Sequence, residues 1–374
     1  MDPKHLPPAP PGSATAPPAP ANPGLAASGL ATPALGHRAV PGHPAHAQAQ
    51  SHAEPLEPAD VAAGAKAIAG NIGRVIAGKS QAIELTVTMF LAHGHVLIED
   101  VPGVGKTMLA KALAASIGAT VKRIQFTPDL LPSDVTGSPI FNQATRQFEF
   151  EPGPVFANIV IADEINRASP RTQSALLECM EEGQVTVEGS TYALDSPFHV
   201  VATQNPIDME GTHALLEAQR DRFMARISMG YPDEEAEHTM VRDRDLGEPL
   251  RALRPVASLG AVNRMIDACR HTYVADSVSR YAVALTRSTR RSPVLALGAS
   301  PRAAVHLLTA AKALATVKGR GYVIPDDIQA LAGPVLAHRV MPVTPVRGSG
   351  GMAQAAAIIR DCVATVPVPV AAGR

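Results

Sequence analysis

The sequence lacks tryptophan, has few other aromatic residues and contains only three cysteines. The cysteines, Cys179, Cys269 and Cys362, lie far apart with no C-x-x-C spacing. This spacing disfavours a disulfide framework or a cysteine zinc site, so we expect reduced, buried thiols. No apolar run reaches the roughly 18 residues of a membrane span, and no secretory signal pattern begins the chain. We therefore expect a cytoplasmic protein without direct membrane insertion.

The chain also lacks a strong charge of either sign, since its formal net charge is −1. This balance gives no general attraction to nucleic acid or to anionic lipid. Branched aliphatic residues are nearly absent from residues 1–57, which consist mainly of Pro, Ala, Gly, Ser and His. Such a segment cannot offset its ordering entropy, so we expect it to be disordered.

A strand, a glycine loop and a helix follow one another in "HVLIEDVPGVGKTMLAKALAASIG". Glycines let the backbone turn tightly, and the helix N-terminus attracts phosphate. Asp100 stands where a strict phosphate-loop pattern has its first glycine. Lys106 would reach the β- and γ-phosphates, and the Thr107 hydroxyl would ligate Mg²⁺. The residues predicted to contact the nucleotide are Val101, Pro102, Gly103, Val104, Gly105, Lys106 and Thr107.

Two further buried strands end in polar side chains. "ANIVIADEIN" reads as a strand covered on both faces, and it ends at Asp163 and Glu164. Asp163 would hold Mg²⁺ through its water shell, and Glu164 would deprotonate the attacking water. "FHVVATQNP" repeats the form and ends at Asn205, which would contact that water or the γ-phosphate.

Each of these signals alone has a simpler explanation, such as a chance glycine turn or a solvated acidic turn. Ligands of open α/β sheets collect at the carboxyl ends of the strands, where all three signals would meet. The combination predicts a parallel α/β sheet with an ATPase site.

Longer stretches resemble the MoxR family of AAA+ ATPases from about residue 60 to about residue 339. They include "GHVLIEDVPGVGKTMLAKALA", "FEFEPGPVFANIVIADEINRASPRTQSALLECMEEGQVTV", "VVATQNPID" and "SPRAAVHLL". The resemblance implies an α/β AAA+ P-loop parallel-sheet core followed by a small helical lid domain, with ATP and Mg²⁺ as cofactors. It also implies a ring, usually a hexamer, and a von Willebrand factor A domain protein as partner.

Domain bounds follow from combining the resemblance with the composition. We expect a disordered head over 1–57, a nucleotide-binding domain over 58–230 and a connection over 231–254. A helical lid would cover 255–342, and a C-terminal helix or tail would cover 343–374. Helical patterns predict about four helices in the lid, and Ser300 before Pro301 predicts a helix N-cap.

The resemblance also assigns roles to two arginines. Arg222, in "EAQRDRF", matches the family's arginine finger, which reaches the γ-phosphate bound by a neighbouring subunit. The simpler alternative is a surface ion pair among Arg220, Asp221 and Arg222. Arg302 resembles the sensor-2 arginine. A positively charged side chain is unfavourable at a helix N-terminus unless it has an anionic partner, and a phosphate would supply one.

Other segments yield structural expectations. The alternation over 147–150 predicts a hairpin strand, and "GQVTVEGSTYALDSPFHV" predicts a second hairpin with its turn at Gly189-Ser190. In the family such hairpins face the pore and the partner, although they would also serve to cover sheet edges. We expect His338 and Arg339 to lie at a solvated helix end.

Several functions remain open at this level. The favoured function is a ring ATPase that remodels a client protein. The sequence does not indicate which protein this client is. The alternative is a nucleotide-switched binding scaffold that hydrolyses ATP slowly and docks through its Pro-rich head. A DNA helicase is disfavoured, because five tyrosines, no tryptophan and near-neutral charge provide little to bind nucleic acid.

Overall fold

The computed structural model describes residues 56–205, 213–245, 248–346 and 349–369. The disorder predicted for the head falls, up to residue 55, outside the described residues. The strands are β1 (Val96–Glu99), β2 (Val121–Gln125), β3 (Gly137–Asn142), β4 (Gln147–Pro152), β5 (Ile159–Asp163), β6 (Gln184–Val187), β7 (Ser190–Ala193), β8 (His199–Gln204), β9 (Ala225–Ile227), β10 (Leu295–Leu297) and β11 (Met341–Pro342).

The helices extend over the whole described chain. They are α1 (Pro58–Gly73), α2 (Ser80–Leu91), α3 (Lys106–Ile117), α4 (Pro132–Thr136), α5 (Pro170–Glu182), α6 (Glu217–Arg220), α7 (Glu234–Asp245), α8 (Pro249–Ala252), α9 (Leu259–His271), α10 (Asp276–Thr289), α11 (Pro301–Val317), α12 (Pro325–Leu336) and α13 (Ser349–Thr365). Short 3-10 helices cover Ile165–Arg167 and Ala337–Arg339.

A parallel sheet with the order β2-β5-β8-β1-β9 forms the core. Successive strand residues point to opposite faces, so Ile159 and Ile161 pack on one side while Val160 and Ala162 pack on the other. Both faces of the inner strands β1, β5 and β8 are covered, which explains why these strands are rich in apolar residues, whereas the edge strand β2 is mostly exposed. The predicted α/β parallel-sheet class is confirmed.

Two antiparallel hairpins, β3–β4 and β6–β7, stand apart from the five-stranded sheet. The second was predicted with its turn at Gly189-Ser190, and that placement is wrong. Ser190 already pairs with Val187, so the turn is Glu188-Gly189, where both residues have positive φ, 49° and 75°. Phe150 of β4 stacks on Tyr192 of β7 with ring centroids 4.2 Å apart, which joins the hairpins at their bases.

A helical lid formed by α9 to α12 follows the sheet, and α13 packs against α12 and α10. In α11, Ala303, Leu307, Ala310 and Leu314 bury one face at helical spacing. The predicted N-cap of α11 is confirmed, because the Ser300 hydroxyl accepts the Ala303 N–H at 3.2 Å. The helical lid predicted from the sequence is therefore present.

The end of α12 differs from the prediction of a solvated helix end, which is wrong. His338 and Arg339 are 2% and 4% exposed, in the 3-10 turn that follows α12. The His338 imidazole pairs with the carbonyl of Phe223 at 3.0 Å, just before β9. Both side chains contact the carbonyl of Phe223 and thereby link the lid to the parallel-sheet core.

The remaining composition-based expectations concern the cysteines and the membrane. All three cysteines are free and buried, as predicted. Burial raises the pKa of the Cys179 thiol to about 12 and that of Cys269 to about 11, so both remain protonated at neutral pH. Among the described helices, none combines the length and the apolar character that crossing a bilayer requires.

Candidate nucleotide-binding site

The loop between β1 and α3 has the backbone that its glycines suggested. Gly103 and Gly105 have φ of 84° and 91°, a region that side-chain-bearing residues rarely occupy. Gly105 directly precedes α3, so the first N–H groups of the helix, which have no partner within the helix, lie next to the loop. The predicted strand, tight turn and helix are confirmed.

Lys106 lies at the carboxyl edge of the sheet, between two strands. Its Nζ donates to the carbonyl of Asp100, which follows β1, at 2.5 Å and to that of Gln204, the last residue of β8, at 3.3 Å. Burial lowers the pKa of the Lys106 ammonium, while the surrounding carboxylates, first of all Asp100, oppose that shift. The amine is thereby held at the carboxyl ends of β1 and β8, where the loop that would bind phosphate begins.

Asp100 is only 6% exposed and serves a structural role. Its Oδ2 accepts the N–H groups of Met229 at 2.7 Å and Gly230 at 2.6 Å, and its Oδ1 accepts the Val101 N–H at 2.8 Å. Burial alone would raise the pKa of this carboxyl, yet the hydrogen bonds hold it below its usual value. Asp100 therefore anchors the loop to the segment after β9, a contact that glycine cannot make.

Asp163 ends β5 beside the loop. The Thr107 hydroxyl lies 3.4 Å from its Oδ2, so the two predicted Mg²⁺ ligands are neighbours. Arg123 of β2 contacts the same oxygen through Nη2 at 2.6 Å and Nε at 3.0 Å. A carboxylate and a hydroxyl suit a hard cation, so this donor set fits Mg²⁺ once Arg123 withdraws.

Glu164 follows Asp163 in a left-handed backbone conformation, with φ of 56°. Such a conformation is uncommon for a non-glycine residue and points to a constrained position. The Glu164 N–H donates to Thr203 Oγ1 at 2.9 Å, and that hydroxyl donates to Asp163 Oδ1 at 2.5 Å. Thr203 of β8 therefore fixes both carboxylate residues at once.

The Glu164 carboxylate is also held by side chains. Its Oε2 accepts the Gln125 amide at 2.8 Å and lies 3.0 Å from the Arg167 Nε. Asn205 follows Gln204 directly and is half-buried at the same edge of the sheet. The structure therefore brings together the ends of β1, β5 and β8, as predicted.

Arg222 and Arg302 lie elsewhere. Met224 donates to the His95 carbonyl at 2.8 Å, and Ala225 pairs with Val96, which places Arg222 by the amino end of β1. Arg302 of α11 shares the acidic partner of Arg222, the Glu181 carboxylate at the end of α5. The anionic partner predicted for Arg302 was a phosphate, whereas here it is a carboxylate.

The alternative of a pair among Arg220, Asp221 and Arg222 does not occur. Arg220 lies 3.6 Å from Glu217, and Asp221 pairs with Arg339 at 2.8 Å. Each of these three residues has its own partner outside the group, and the partner of Arg222 is Glu181.

Sequence reasoning missed several residues of this region. Thr203 interrupts the apolar run of β8, which was a usable signal. Arg123 and Gln125 alternate along β2 and reach Asp163 and Glu164 only because β2 pairs with β5. Glu181 lies among several acidic residues of α5, and nothing in the local sequence distinguishes it.

Comparison with known proteins agrees with this geometry. Residues 95–225 match the model of the ATPase family associated with various cellular activities (AAA), and residues 287–362 match that of the AAA lid domain. The chain is 50% identical over 300 residues to the uncharacterized protein YeaC of Bacillus subtilis, covering 80% of this chain and 93% of the relative.

A second relative carries a functional name, and a third similarity is structural. The chain is 41% identical over 327 residues to Chaperone MoxR1 of Mycobacterium tuberculosis, covering 84% and 86% of the two chains. A solved structure of a candidate ATPase from Cytophaga hutchinsonii has a TM-score of 0.75 and 36% identity, covering 84% of this chain and 97% of that one. With its parallel-sheet core, helical lid and these similarities, the chain belongs to the MoxR family of AAA+ ATPases.

Proposed function

We propose that this protein binds ATP with Mg²⁺ and hydrolyses it at the interfaces of a ring, to remodel a client protein. The observation that carries the proposal is the meeting of Lys106, Thr107, Asp163 and Glu164 at one edge of the sheet. We assign the nucleotide-binding domain to 58–230 and the lid to 255–342. Remodelling is supported by kinship with a protein named a chaperone.

Each residue of the site has a proposed task. The loop Val101–Gly105 and Lys106 would bind and orient the phosphates, and Thr107 and Asp163 would hold Mg²⁺, which neutralises phosphate charge when bound. Glu164 would accept the proton of the attacking water, with Asn205 beside it to orient that water. Arg123 and Gln125 would have to leave their carboxylate partners first, because both now contact the reacting groups.

The arginines support assembly into a ring. β1 has four residues, and about 3.3 Å of rise for each separates its two ends. Lys106 lies at the carboxyl end of β1 and Arg222 by its amino end, so one subunit's arginine is remote from its own phosphate loop. An arginine that stabilises the transition state would therefore act on a neighbour's ATP, and we propose the same for Arg302.

Ring size and partners rest on the family. We propose a hexamer and a von Willebrand factor A domain protein as the adaptor. An aromatic pair supports contact with a client, because Phe141 and Phe148 lie opposite each other on the β3–β4 hairpin and are 49% and 71% exposed. Exposed aromatic rings of this kind are frequent at protein contacts.

The test is ATP turnover per chain over a wide range of protein concentration, with Mg²⁺. Turnover should rise with concentration and then level off, because neighbours complete each site. Glu164→Gln should bind a fluorescent ATP analogue as tightly as wild type while hydrolysing ATP at least about 10²-fold more slowly. Unchanged turnover in Glu164→Gln contradicts the assignment of the base, and binding without turnover at any concentration favours a scaffold.

A further inference from the structure

The carboxylate of Glu181 contacts both Arg222 and Arg302. Glu181 Oε2 lies 2.9 Å from Arg222 Nε, and Glu181 Oε1 is in contact with Arg302 Nη2. The three side chains are 35%, 31% and 39% exposed, so they face solvent rather than a sealed core. They line a cavity of about 580 Å³.

The contacts leave nitrogen atoms for another anion. Arg222 approaches Glu181 through Nε, and its two Nη groups form no hydrogen bond with a described residue. Arg302 uses Nη2 and keeps Nε and Nη1. Two guanidinium charges against one carboxylate charge leave one positive charge on this group, which a phosphate oxygen would balance.

The carboxylate itself has a fixed place. The preceding residue, Met180, accepts a hydrogen bond from the His95 imidazole through its carbonyl, at 3.0 Å. His95 Nδ1 accepts the Val200 N–H at 3.0 Å, so its other nitrogen must be the donor to Met180. The end of α5 is thereby tied to the amino edge of β8, and Glu181 is held with it.

The two arginines come from different parts of the fold. Arg222 follows α6 in the core, whereas Arg302 lies in the first turn of the lid helix α11. Ser300, the cap of α11, also donates to the Asp221 carboxylate at 2.8 Å and 2.9 Å. Glu181 therefore contacts one arginine of the core and one arginine of the lid at the same time.

We propose that Glu181 is a positioning residue, which holds Arg222 and Arg302 with their remaining N–H groups aimed at the γ-phosphate of ATP bound by the neighbouring subunit. The inference rests on the proposed function and adds to it a residue that acts through both arginines. Holding the two guanidinium groups in advance removes an ordering cost from the reaction, which raises kcat without altering the subunit's own ATP site.

The experiment uses the full chain with Glu181→Gln, which keeps the size of the side chain and removes its charge. We expect kcat to fall about tenfold or more, with the KM for ATP and the affinity for a fluorescent ATP analogue unchanged. Glu182→Gln is the matched control, since Glu182 is the next residue and forms no ion pair with a described residue. Its kcat should equal that of wild type.

A mixing experiment separates positioning in trans from a merely structural role. Glu181→Gln has an intact phosphate site, and Glu164→Gln has intact arginines. In rings formed from equal amounts, about one interface in four pairs the two intact halves. The mixture should therefore recover roughly a quarter of wild-type turnover, well above the mean of the separate variants.

The outcomes are distinct. Wild-type turnover that stays near zero at every concentration overturns the proposed function, and this inference with it. Normal turnover in Glu181→Gln, or a fall that mixing does not reverse, overturns the inference alone. If Glu181→Gln loses its thermal transition, Glu181→Asp replaces it, since the shorter carboxylate keeps the charge but cannot reach both arginines.

Discussion

Arg339 of the lid forms an ion pair with Asp221 of the core, with Nε 2.8 Å from Oδ1. The guanidinium also donates to the carbonyls of Phe223 at 2.7 Å and Met224 at 3.3 Å. Although burial lowers its pKa to about 10, Arg339 remains charged at neutral pH. The buried charge is compensated only while lid and core stay together.

We expect Arg339→Ala to destabilise the protein by about 3 kcal/mol, because it removes the charge that pairs with Asp221 and the side-chain donor to the buried carbonyls of Met224 and Val335. Urea unfolding at pH 7 measures the change. Arg280→Ala is the control, since its ion pair with Asp276 is 78% and 77% exposed and should contribute nothing measurable. Equal midpoints for the two variants would contradict the proposed role of Arg339.

Replacing Asp100 by glycine restores the usual phosphate-loop pattern, yet we expect the loop to be held less firmly and to bind nucleotide more weakly. Asp100→Gly removes the acceptor of the Met229 and Gly230 N–H groups, at a cost of about 2 kcal/mol. Binding of a fluorescent ATP analogue should become several-fold weaker. Asp100→Asn, which keeps one acceptor, should fall between wild type and Asp100→Gly, and tighter binding by Asp100→Gly would refute this reading.

Thr203 is expected to matter for turnover although it would touch no substrate. Thr203→Val keeps the shape but removes the hydroxyl that joins Asp163 to the Glu164 N–H. We expect kcat to fall about tenfold with little change in ATP affinity, because the base loses its fixed orientation. Thr203→Ser retains the hydroxyl and should stay close to wild type. A kcat that does not depend on the hydroxyl would show that Glu164 is positioned by other contacts.

A buried histidine should make stability depend on pH. Burial lowers the pKa of His199 to about 3, whereas an unfolded chain has a histidine pKa of about 6.5. Between these values the unfolded state binds a proton that the native state does not, so stability falls as pH falls below about 6.5, by up to about 1.4 kcal/mol per pH unit.

His199→Asn isolates this contribution. The asparagine amide can still donate to the Gly94 carbonyl, which His199 Nδ1 contacts at 2.6 Å. Between pH 6.5 and 4.5 the variant should lose about 2 kcal/mol less stability than wild type. Urea midpoints across this range test the expectation, and parallel curves for the two proteins would contradict it.

Local patterns predicted most of the elements. Gly118 ends α3 in the left-handed conformation, Ser300 caps α11, and the apolar runs of β5 and β8 lie in the sheet interior. Bounds were less accurate, as for the hairpin strand predicted over 147–150, which spans Gln147–Pro152. Propensity and capping act over a few residues, so they indicate elements better than their ends.

The sequence by itself determined the α/β core, the glycine loop and the acidic strand end, because hydrophobic period and turn chemistry are properties of neighbouring residues. Only the tertiary structure decided that Asp100 is an anchor, that Arg339 is buried and that Glu181 gathers Arg222 and Arg302. These partners are distant in the chain, and their side chains come into contact only after strands and helices have packed. The contacts that link lid to core therefore depend on the folded arrangement and cannot be read from local patterns.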